Sequence, residues 1–345
     1  MFKSTGIVFV AAIFIAGCST SKPPEKVIEP VQGKNVSPEL NWNSQKTVAT
    51  PSNRTMISSN KSAAMPKSLP PLTTWIPLAQ WTAEHGLKPP RLFATTPEAA
   101  YTIESTNGTM VLGIGSREVT WNGISINLGF APQLIDGEIY LHGLDLQKNL
   151  EPLLCETPIA FPQTNRIIVI DPGHGGSNPG TVSALDGRLE KEFTLDTALR
   201  LKPLLETNGW TVFLTRTADV DFANTNRVTF AEAHHADLFI SLHFNATADR
   251  SGRVGGIETY CITPTGMPST LTHDYPDPPF AVWPNNSFDA QNLQLAVKLH
   301  GALIRATGLE DRGVCRARFM TVLRGQNRPA ILIENGYLSN PHDAI

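Results

Sequence analysis

The sequence has little cysteine and almost no excess charge. Four of its 345 residues are cysteine, too few for a fold that depends on many disulfide bonds. Lysine and arginine number 28 against 31 aspartate and glutamate, a formal net charge of -3, and the basic residues form no block. Because nucleic-acid binding requires clustered Lys and Arg, this balance argues against a nucleic-acid partner.

Several common enzyme motifs are also missing. The chain has no Gly-x-Ser-x-Gly segment and no cysteine in a nucleophile context, so neither a serine triad nor a cysteine nucleophile is supported. The glycines at Gly173, Gly175 and Gly176 fit neither the P-loop nor the dinucleotide-binding pattern. With 41% hydrophobic residues, the chain still has enough apolar material for sizeable cores in about two domains.

The N-terminus carries an apolar run that is too short to span a membrane. Gly6 to Ala16 follows the basic Lys3, whereas a spanning helix needs about 20 apolar residues. A signal peptide has this form. The segment Ile15-Ala16-Gly17-Cys18-Ser19 resembles the lipobox of bacterial lipoproteins. The resemblance implies that residues 1–17 are a signal peptide and that acyl chains on Cys18 anchor the protein in a membrane.

The residues after the lipobox indicate where the chain works. Ser19 resembles the sorting position of lipoproteins sent to the outer membrane, so we expect a location in the cell envelope, facing the periplasm. A secretory signal with an incidental cysteine is the alternative. Residues 18–70 are rich in Ser, Lys, Pro and Asn without periodicity and are predicted to be a flexible tether. A coil of this length has a root-mean-square span of roughly 40 Å.

Residues 71–155 are predicted to form a small β-rich domain. Asn122-Gly123 lies between alternating apolar and polar residues, a strong hairpin signal, and Asp136-Gly137 marks a second turn. The hairpin spacing and Trp121-Asn122-Gly123 resemble the copper amine oxidase N-terminal-like domain. We expect no copper, because His85 and His142 are the only histidines of this region and neither has a ligand-spaced partner.

Residues 163–345 alternate between strand and helix patterns. The pattern predicts an α/β domain with a mostly parallel twisted sheet and helices on both faces. Such sheets place their functional sites at the carboxyl ends of the strands. The predicted strands are 167–171, 211–215, 237–243, 256–262, 319–323 and 330–334, and the predicted helices are 189–207, 224–235 and 289–307.

Chemically active side chains follow three of these strands. His174 comes after the first strand, His243 ends the third and Glu334 ends the last, while Glu190 begins the first helix at the same edge. Two imidazoles and one carboxylate suit Zn²⁺, and a further carboxylate can serve as the base of a hydrolase. A structural role is the alternative for any one of these histidines taken alone.

Four sequence segments in order strengthen the hydrolase interpretation. Asp171-Pro172-Gly173-His174-Gly175-Gly176, Leu189-Glu190-Lys191-Glu192, Ser241-Leu242-His243-Phe244-Asn245-Ala246 and Ile333-Glu334-Asn335-Gly336-Tyr337 resemble the amidase-3 family of zinc-dependent N-acetylmuramoyl-L-alanine amidases. The resemblance implies that His174, Glu190 and His243 bind Zn²⁺ and that Glu334 is catalytic. It further implies a peptidoglycan substrate, cleaved between N-acetylmuramic acid and L-alanine.

Two other functions remain open at this point: a non-catalytic peptidoglycan-binding lipoprotein, and a zinc peptidase that acts on stem peptides. The small β-rich domain would be either a spacer or a wall-contact module. Nothing in the sequence specifies an oligomeric state.

Three features raise questions about the resemblance. Glu192 competes with Glu190 for the role of ligand, but a helical step of two residues turns one away from the other, and the family pattern favours Glu190. The Pro-rich insertion at 263–286 is longer than the usual connection, and His273 and Asp274 within it are weak candidates for covering the site. Members of the family continue into a closing helix where this sequence stops at Ile345. Either the sequence is truncated or the helix is absent, and we then expect the strand of Glu334 to be less well covered.

Overall fold

The structure, a computed structural model, describes residues 74–95, 99–161, 164–248, 252–271 and 277–344. The predicted signal peptide, Cys18, the tether at 18–70 and the His273-Asp274 pair lie outside the described residues. Among the described residues, no helix is both long and apolar enough to cross a membrane.

The described residues form a long sheet, a small sheet and six helical elements. The strands are β1 (Trp75–Pro77), β2 (Arg91–Ala94), β3 (Ala100–Glu104), β4 (Thr109–Gly113), β5 (Glu118–Trp121), β6 (Ile124–Asn127), β7 (Gln133–Ile135), β8 (Glu138–His142), β9 (Arg166–Pro172), β10 (Trp210–Leu214), β11 (Leu238–Asn245), β12 (Ile257–Cys261), β13 (Asp311–Arg316) and β14 (Ala330–Tyr337). The helices are α1 (Leu78–Glu84), α2 (consecutive segments Gly143–Asp145, Leu146–Leu150 and Glu151–Leu154, the middle one π-helical), α3 (Glu190–Thr207), α4 (Asn224–Ala233), α5 (Asp289–Thr307, preceded by a 3-10 turn at Pro284–Phe288) and α6 (Thr321–Arg324).

The C-terminal half contributes six adjacent strands in the order β10-β9-β11-β14-β12-β13. The first four are parallel, β12 runs antiparallel to β14, and β13 is parallel to β12. Side chains alternate along β9: Ile168 and Ile170 pack in one core with α3 and α5, and Val169 packs in another with α4 and α6. The sheet therefore has helices on both faces, as expected for an α/β domain.

One predicted strand is wrong. The segment at 319–323 overlaps α6, and the strand in this part of the chain is β13, which ends before the predicted strand begins. The sequence of β13 includes Asp311, Arg312 and Gly313, which interrupt any apolar pattern. Arg312 and Arg316 are satisfied there by buried partners from other elements, an arrangement that only the tertiary structure supplies.

The N-terminal strands continue the same sheet. β2 to β6 form an antiparallel meander, and the predicted turn at Asn122-Gly123 joins β5 to β6 with positive φ angles of 50° and 81°. β6 pairs in parallel with β13, so the long sheet has 11 strands among the described residues. The domain boundaries and the copper amine oxidase N-terminal-like type of this part stay predictions.

The described part of the insertion lies away from the carboxyl edge of the parallel strands. Because β12 is antiparallel to β14, the chain leaves β12 at the opposite edge of the sheet. There Asn285 donates a hydrogen bond to the carbonyl of Arg328, just before β14, and Thr270 donates to Arg316 at the end of β13. The described residues of the insertion therefore lie at the edge opposite the candidate site, and the prediction for His273 and Asp274 stays untested.

Candidate active site

His174 lies in the loop that follows β9. Its backbone has φ of 60°, an uncommon conformation for a residue other than glycine. The preceding Gly173 lies so close to His243 that a Cβ added there would be 2.4 Å from the imidazole ring. The glycine therefore allows the loop and the end of β11 to approach each other, and this approach brings the two imidazoles together.

Glu190 joins the two histidines. Its Oε1 atom is 3.0 Å from Nε2 of His174 and 3.0 Å from Nδ1 of His243. The backbone N–H groups of Phe244 and Thr181 donate hydrogen bonds to the same carboxylate, at 3.0 and 2.9 Å. All three side chains are buried, and they belong to three elements: the β9 loop, the first residue of α3 and the end of β11.

These three side chains have the donor set and geometry of a metal site. Their ligand atoms lie within 4.8 Å of one another. Two nitrogens and one oxygen suit Zn²⁺, for which bonds of 2.0–2.1 Å imply ligand separations of about 3.3 Å. Buried Nε2 of His174 has no hydrogen-bond partner among the described residues, although Glu190 is in contact with it. An unpartnered buried lone pair is what a metal ligand requires, so the residues present fit zinc.

The cluster also has mutually adjusted pKa values. Burial raises the pKa of Glu190, but the contacts with His174 and His243 outweigh burial and hold it well below its usual range. Burial and the neighbouring His174 together lower the pKa of His243. Burial lowers the pKa of His174, but the contact with Glu190 outweighs burial and raises it. Glu190 is thus favoured as a charged carboxylate and His243 as a neutral imidazole, the protonation states in which these two groups donate electron pairs to a cation.

Glu334 lies beside the cluster on the neighbouring strand. In the parallel ladder of β11 and β14 it is directly paired with His243, so the two side chains share one face of the sheet. Glu334 is 4% exposed, and Oε2 has no hydrogen-bond partner among the described residues. Burial, followed by the charges of Glu190 and Glu258, raises its pKa well above the usual range. The expected poor coverage of this strand is therefore not found.

Glu258 is a second buried carboxylate next to Glu334 and has a different environment. The two residues are directly opposite each other in the antiparallel ladder of β12 and β14. Glu258 accepts hydrogen bonds from Tyr260, Tyr337, Arg312 and Asn245. Because these donors fully occupy its oxygens, Glu258 is a structural anion, whereas Glu334 keeps a free oxygen.

Two buried arginines hold the loop of His174. Arg227 on α4 pairs with Asp171 at the end of β9 and donates hydrogen bonds of 2.7 Å to the carbonyls of Pro172 and His174. Arg216 donates to the carbonyls of Pro172 and Gly173. The guanidinium groups thus fix three consecutive carbonyls and stabilise the uncommon backbone conformation at His174.

The structure brings together His174, Glu190 and His243 and places Glu334 next to them. Glu192 is exposed, and its carboxylate accepts a hydrogen bond from the N–H of Leu189 at the start of α3, away from the cluster. Three contributors were not identified as functional from the sequence. They are Asn178, which contacts His174; Glu258; and Asp171, which accepts a hydrogen bond from Ser241. For Asn178, the sequence offered one indication, its position four residues after His174.

Fold and site together define an α/β protein with a buried histidine–glutamate cluster of metal-binding type at the carboxyl edge of its sheet. Residues 168–345, just over half of the chain, match the model of the Amidase_3 family, described as N-acetylmuramoyl-L-alanine amidase. The chain belongs to this family.

Curated relatives and a solved structure are also similar to this chain. The chain is 35% identical over 179 residues to N-acetylmuramoyl-L-alanine amidase CwlM of Bacillus licheniformis, covering 51% of this chain and 58% of that protein. It is 32% identical over 260 residues to N-acetylmuramoyl-L-alanine amidase AmiC of Neisseria meningitidis, covering 62% and 60%. A solved N-acetylmuramoyl-L-alanine amidase from Clostridium difficile 630 is 28% identical with a TM-score of 0.43, covering 52% and 84%. The chain thus spans less than two thirds of the length of these curated relatives.

Proposed function

We propose that this chain is a peptidoglycan hydrolase that cleaves the amide bond between N-acetylmuramic acid and L-alanine. The observation that carries the proposal is the convergence of His174, Glu190 and His243 within 4.8 Å, with Glu334 on the adjacent strand. Membership of the amidase family and the names of the similar proteins support the choice of bond. His174, Glu190 and His243 would hold Zn²⁺, which when bound acidifies water and polarises a carbonyl.

The chain's own residues supply the proton transfers. Hydrolysis adds a hydroxyl group from water to the lactyl carbonyl carbon and a proton to the departing nitrogen of L-alanine. Glu334 takes the proton of the attacking water at Oε2, its unpartnered oxygen, and then delivers it to that nitrogen. The raised pKa of Glu334 suits the first transfer, because a carboxylate with a higher pKa is a stronger base toward the attacking water.

Glu334 is a better candidate for this role than Glu258. Glu258 accepts from an arginine, two tyrosines and an asparagine, so a proton would displace existing hydrogen bonds. Its negative charge instead favours the protonated form of Glu334 across the strand pair. Glu334 therefore transfers protons, while the charge of Glu258 raises the pKa of Glu334.

We also propose that the protein is a lipoprotein of the cell envelope, anchored through Cys18 and facing the periplasm. The lipobox-like segment at 15–19 supports the anchor, and a tether of about fifty residues would allow the catalytic part to reach peptidoglycan at a distance from the membrane. Globomycin treatment of expressing cells, which blocks lipoprotein processing, tests this: the uncleaved wild-type chain is expected to accumulate, and Cys18→Ala is expected to stay uncleaved with or without the drug. A chain processed normally in both cases would contradict lipidation.

The activity is tested by incubating the full-length chain with purified peptidoglycan, with and without a chelator, and identifying the products by mass spectrometry. Free stem peptides and peptide-less glycan, lost on chelation and restored by zinc, are expected. Trimmed peptides still attached to glycan would indicate a zinc peptidase instead. Binding without products would indicate a non-catalytic peptidoglycan-binding lipoprotein.

A further inference from the structure

Asn178 contacts the ring nitrogen of His174 that faces away from the cluster. Its Oδ1 lies 2.9 Å from Nδ1 of His174. The backbone of Asn178 is fixed at the same time, because its N–H and C=O both form hydrogen bonds with Gly175, at 3.1 and 3.0 Å. The contact is therefore made from a rigid turn of the loop rather than from a free side chain.

The orientation of the Asn178 amide is determined by a second donor. The N–H of Gly180 donates to Oδ1 of Asn178 at 3.3 Å. A flipped amide would place its NH₂ group against the N–H of Gly180, donor against donor, and would lose that hydrogen bond. Oδ1 consequently faces Nδ1 of His174, and an amide oxygen can only accept, so Nδ1 must carry the proton.

A proton on Nδ1 leaves the lone pair of neutral His174 on Nε2. This is the atom that is buried, lies 3.0 Å from Oε1 of Glu190 and has no hydrogen-bond partner among the described residues. Metal-binding histidines that donate their other N–H to an oxygen are held in one tautomer and one ring orientation.

We infer that Asn178 is a positioning residue for zinc binding, which fixes the tautomer and ring orientation of His174. The inference rests on the proposed zinc site but not on the reaction that follows. A hydrogen-bonded partner of this type typically contributes 10–100-fold in metal affinity. Removal of the amide oxygen therefore weakens zinc binding, whereas its replacement by a carboxylate oxygen in the same place preserves binding or makes it tighter.

The test measures zinc affinity of the full-length chain by competition with a zinc-chelating indicator, with zinc alone as the probe. Asn178→Ala is expected to weaken binding 10–100-fold, and Asn178→Asp to restore or exceed wild-type affinity. Ser177→Ala is the matched control, since it removes the neighbouring hydrogen bond from Ser177 to Asp221 without touching His174. Two-dimensional spectra of ¹⁵N-labelled histidine rings add the tautomer, with Nδ1–H expected for His174 and its loss in Asn178→Ala.

Unchanged zinc affinity in Asn178→Ala, or an equal loss in Ser177→Ala, would overturn the inference. If Asn178→Ala does not fold, Asn178→Asp decides: affinity at or above wild type supports the inference, and a tenfold loss overturns it. Wild-type chain that binds zinc in this Asn178-dependent way but releases no stem peptide would refute the proposed reaction and leave the inference intact. Wild-type chain that binds no zinc would refute both.

Discussion

Glu334 and Glu258 illustrate how neighbouring residues of one type acquire different chemistry. They face each other across β12 and β14, and both are 4% exposed. Four donors surround the carboxylate of Glu258, while Oε2 of Glu334 has no partner among the described residues. A buried unpartnered oxygen costs about 1–3 kcal/mol, so its retention beside the cluster is consistent with a role in proton transfer.

Glu334→Gln is expected to reduce hydrolysis by at least 10²–10⁴-fold with little change in zinc content. The amide has the shape of the carboxyl group but cannot carry the proton. Product release is followed by mass spectrometry and zinc by atomic emission. Normal turnover by the variant would remove Glu334 from the mechanism.

Glu190 and Glu192 form a natural pair for testing the metal site. Glu190→Gln replaces the charged oxygen that contacts both histidines, so zinc affinity is expected to fall by at least tenfold. Glu192→Gln changes only an exposed side chain at the start of α3 and should keep wild-type affinity. The measurement is the same chelator competition. Equal effects of the two substitutions would argue against Glu190 as a ligand.

At the scale of secondary-structure elements, the ends of β9, β10 and β11 are joined to α4 by one buried anion. Asp171 pairs with Arg227 and accepts hydrogen bonds from Thr215 and Ser241. Burial alone would raise the pKa of Asp171, but Arg227 and the two hydroxyl donors hold it below the usual range. This network keeps the strand ends in the register that the His174 loop requires.

Arg227→Met is expected to destabilise the protein by about 3–5 kcal/mol, because Asp171 is left buried without its cation. Combining it with Asp171→Asn should cost less than the sum of the two single substitutions, since the double variant has no unpaired charge. Urea unfolding gives the free energies. Simple additivity would show that the two residues do not act as a pair.

The start of α2 depends on a neutral histidine. Nδ1 of His142 accepts a hydrogen bond from the N–H of Leu144, so it must be unprotonated. Burial lowers the pKa of His142 from its ordinary 6.5. The unfolded chain therefore takes up a proton first as the pH falls, and the stability from this group is present above pH 6.5 and is lost below it.

His142→Asn is expected to flatten this part of the pH dependence, because asparagine also accepts a hydrogen bond at a helix start but does not titrate. The urea midpoint is compared above and below pH 6.5 for both chains. If the urea midpoints of the two chains change equally with pH, His142 contributes nothing to the pH dependence of stability.

At the scale of the whole molecule, the small β-rich part and the part that belongs to the amidase family share one sheet. β6 pairs with β13, Arg316 on β13 donates to Asn149 on α2, and Lys148 forms an ion pair of 3.1 Å with Asp289 at the start of α5. Gln294 on α5 also donates to the carbonyl of Pro152. These contacts bury polar groups from both parts, so separation of the parts would leave the groups unpaired.

We therefore expect the full-length chain to unfold in one cooperative transition, with calorimetric and van't Hoff enthalpies that agree. Differential scanning calorimetry of the chelated protein is the measurement, because bound zinc would add its own stabilisation to one part. Arg316→Met should lower the single transition rather than split it. Two separate transitions in the wild-type chain would mean that the parts are independent domains.

Much of the catalytic part was predictable because its signals are local. Helix α5 ends at Thr307 and is followed by Gly308, which has φ of 69°, so the predicted range 289–307 agrees with its bounds. The prediction of a strand at 319–323 was wrong. The actual strand, β13, has no apolar pattern of its own and is stabilised by pairing with β12 and β6. The position of the insertion depended on the direction of β12, which no local pattern specifies.

The sequence by itself determined which residues stand at the ends of the strands, since parallel strands with intervening helices bring their carboxyl ends to one edge. This placed His174, Glu190, His243 and Glu334 at one edge of the sheet, and the resemblance to the amidase family favoured Glu190 over Glu192 and implied their roles. The tertiary structure decided how each one is used. Donors from distant parts of the chain, such as Arg312, bind Glu258, whereas Oε2 of Glu334 has no partner among the described residues. The contact from Asn178 selects one nitrogen of His174. These differences depend on distances in space, which a linear pattern does not contain.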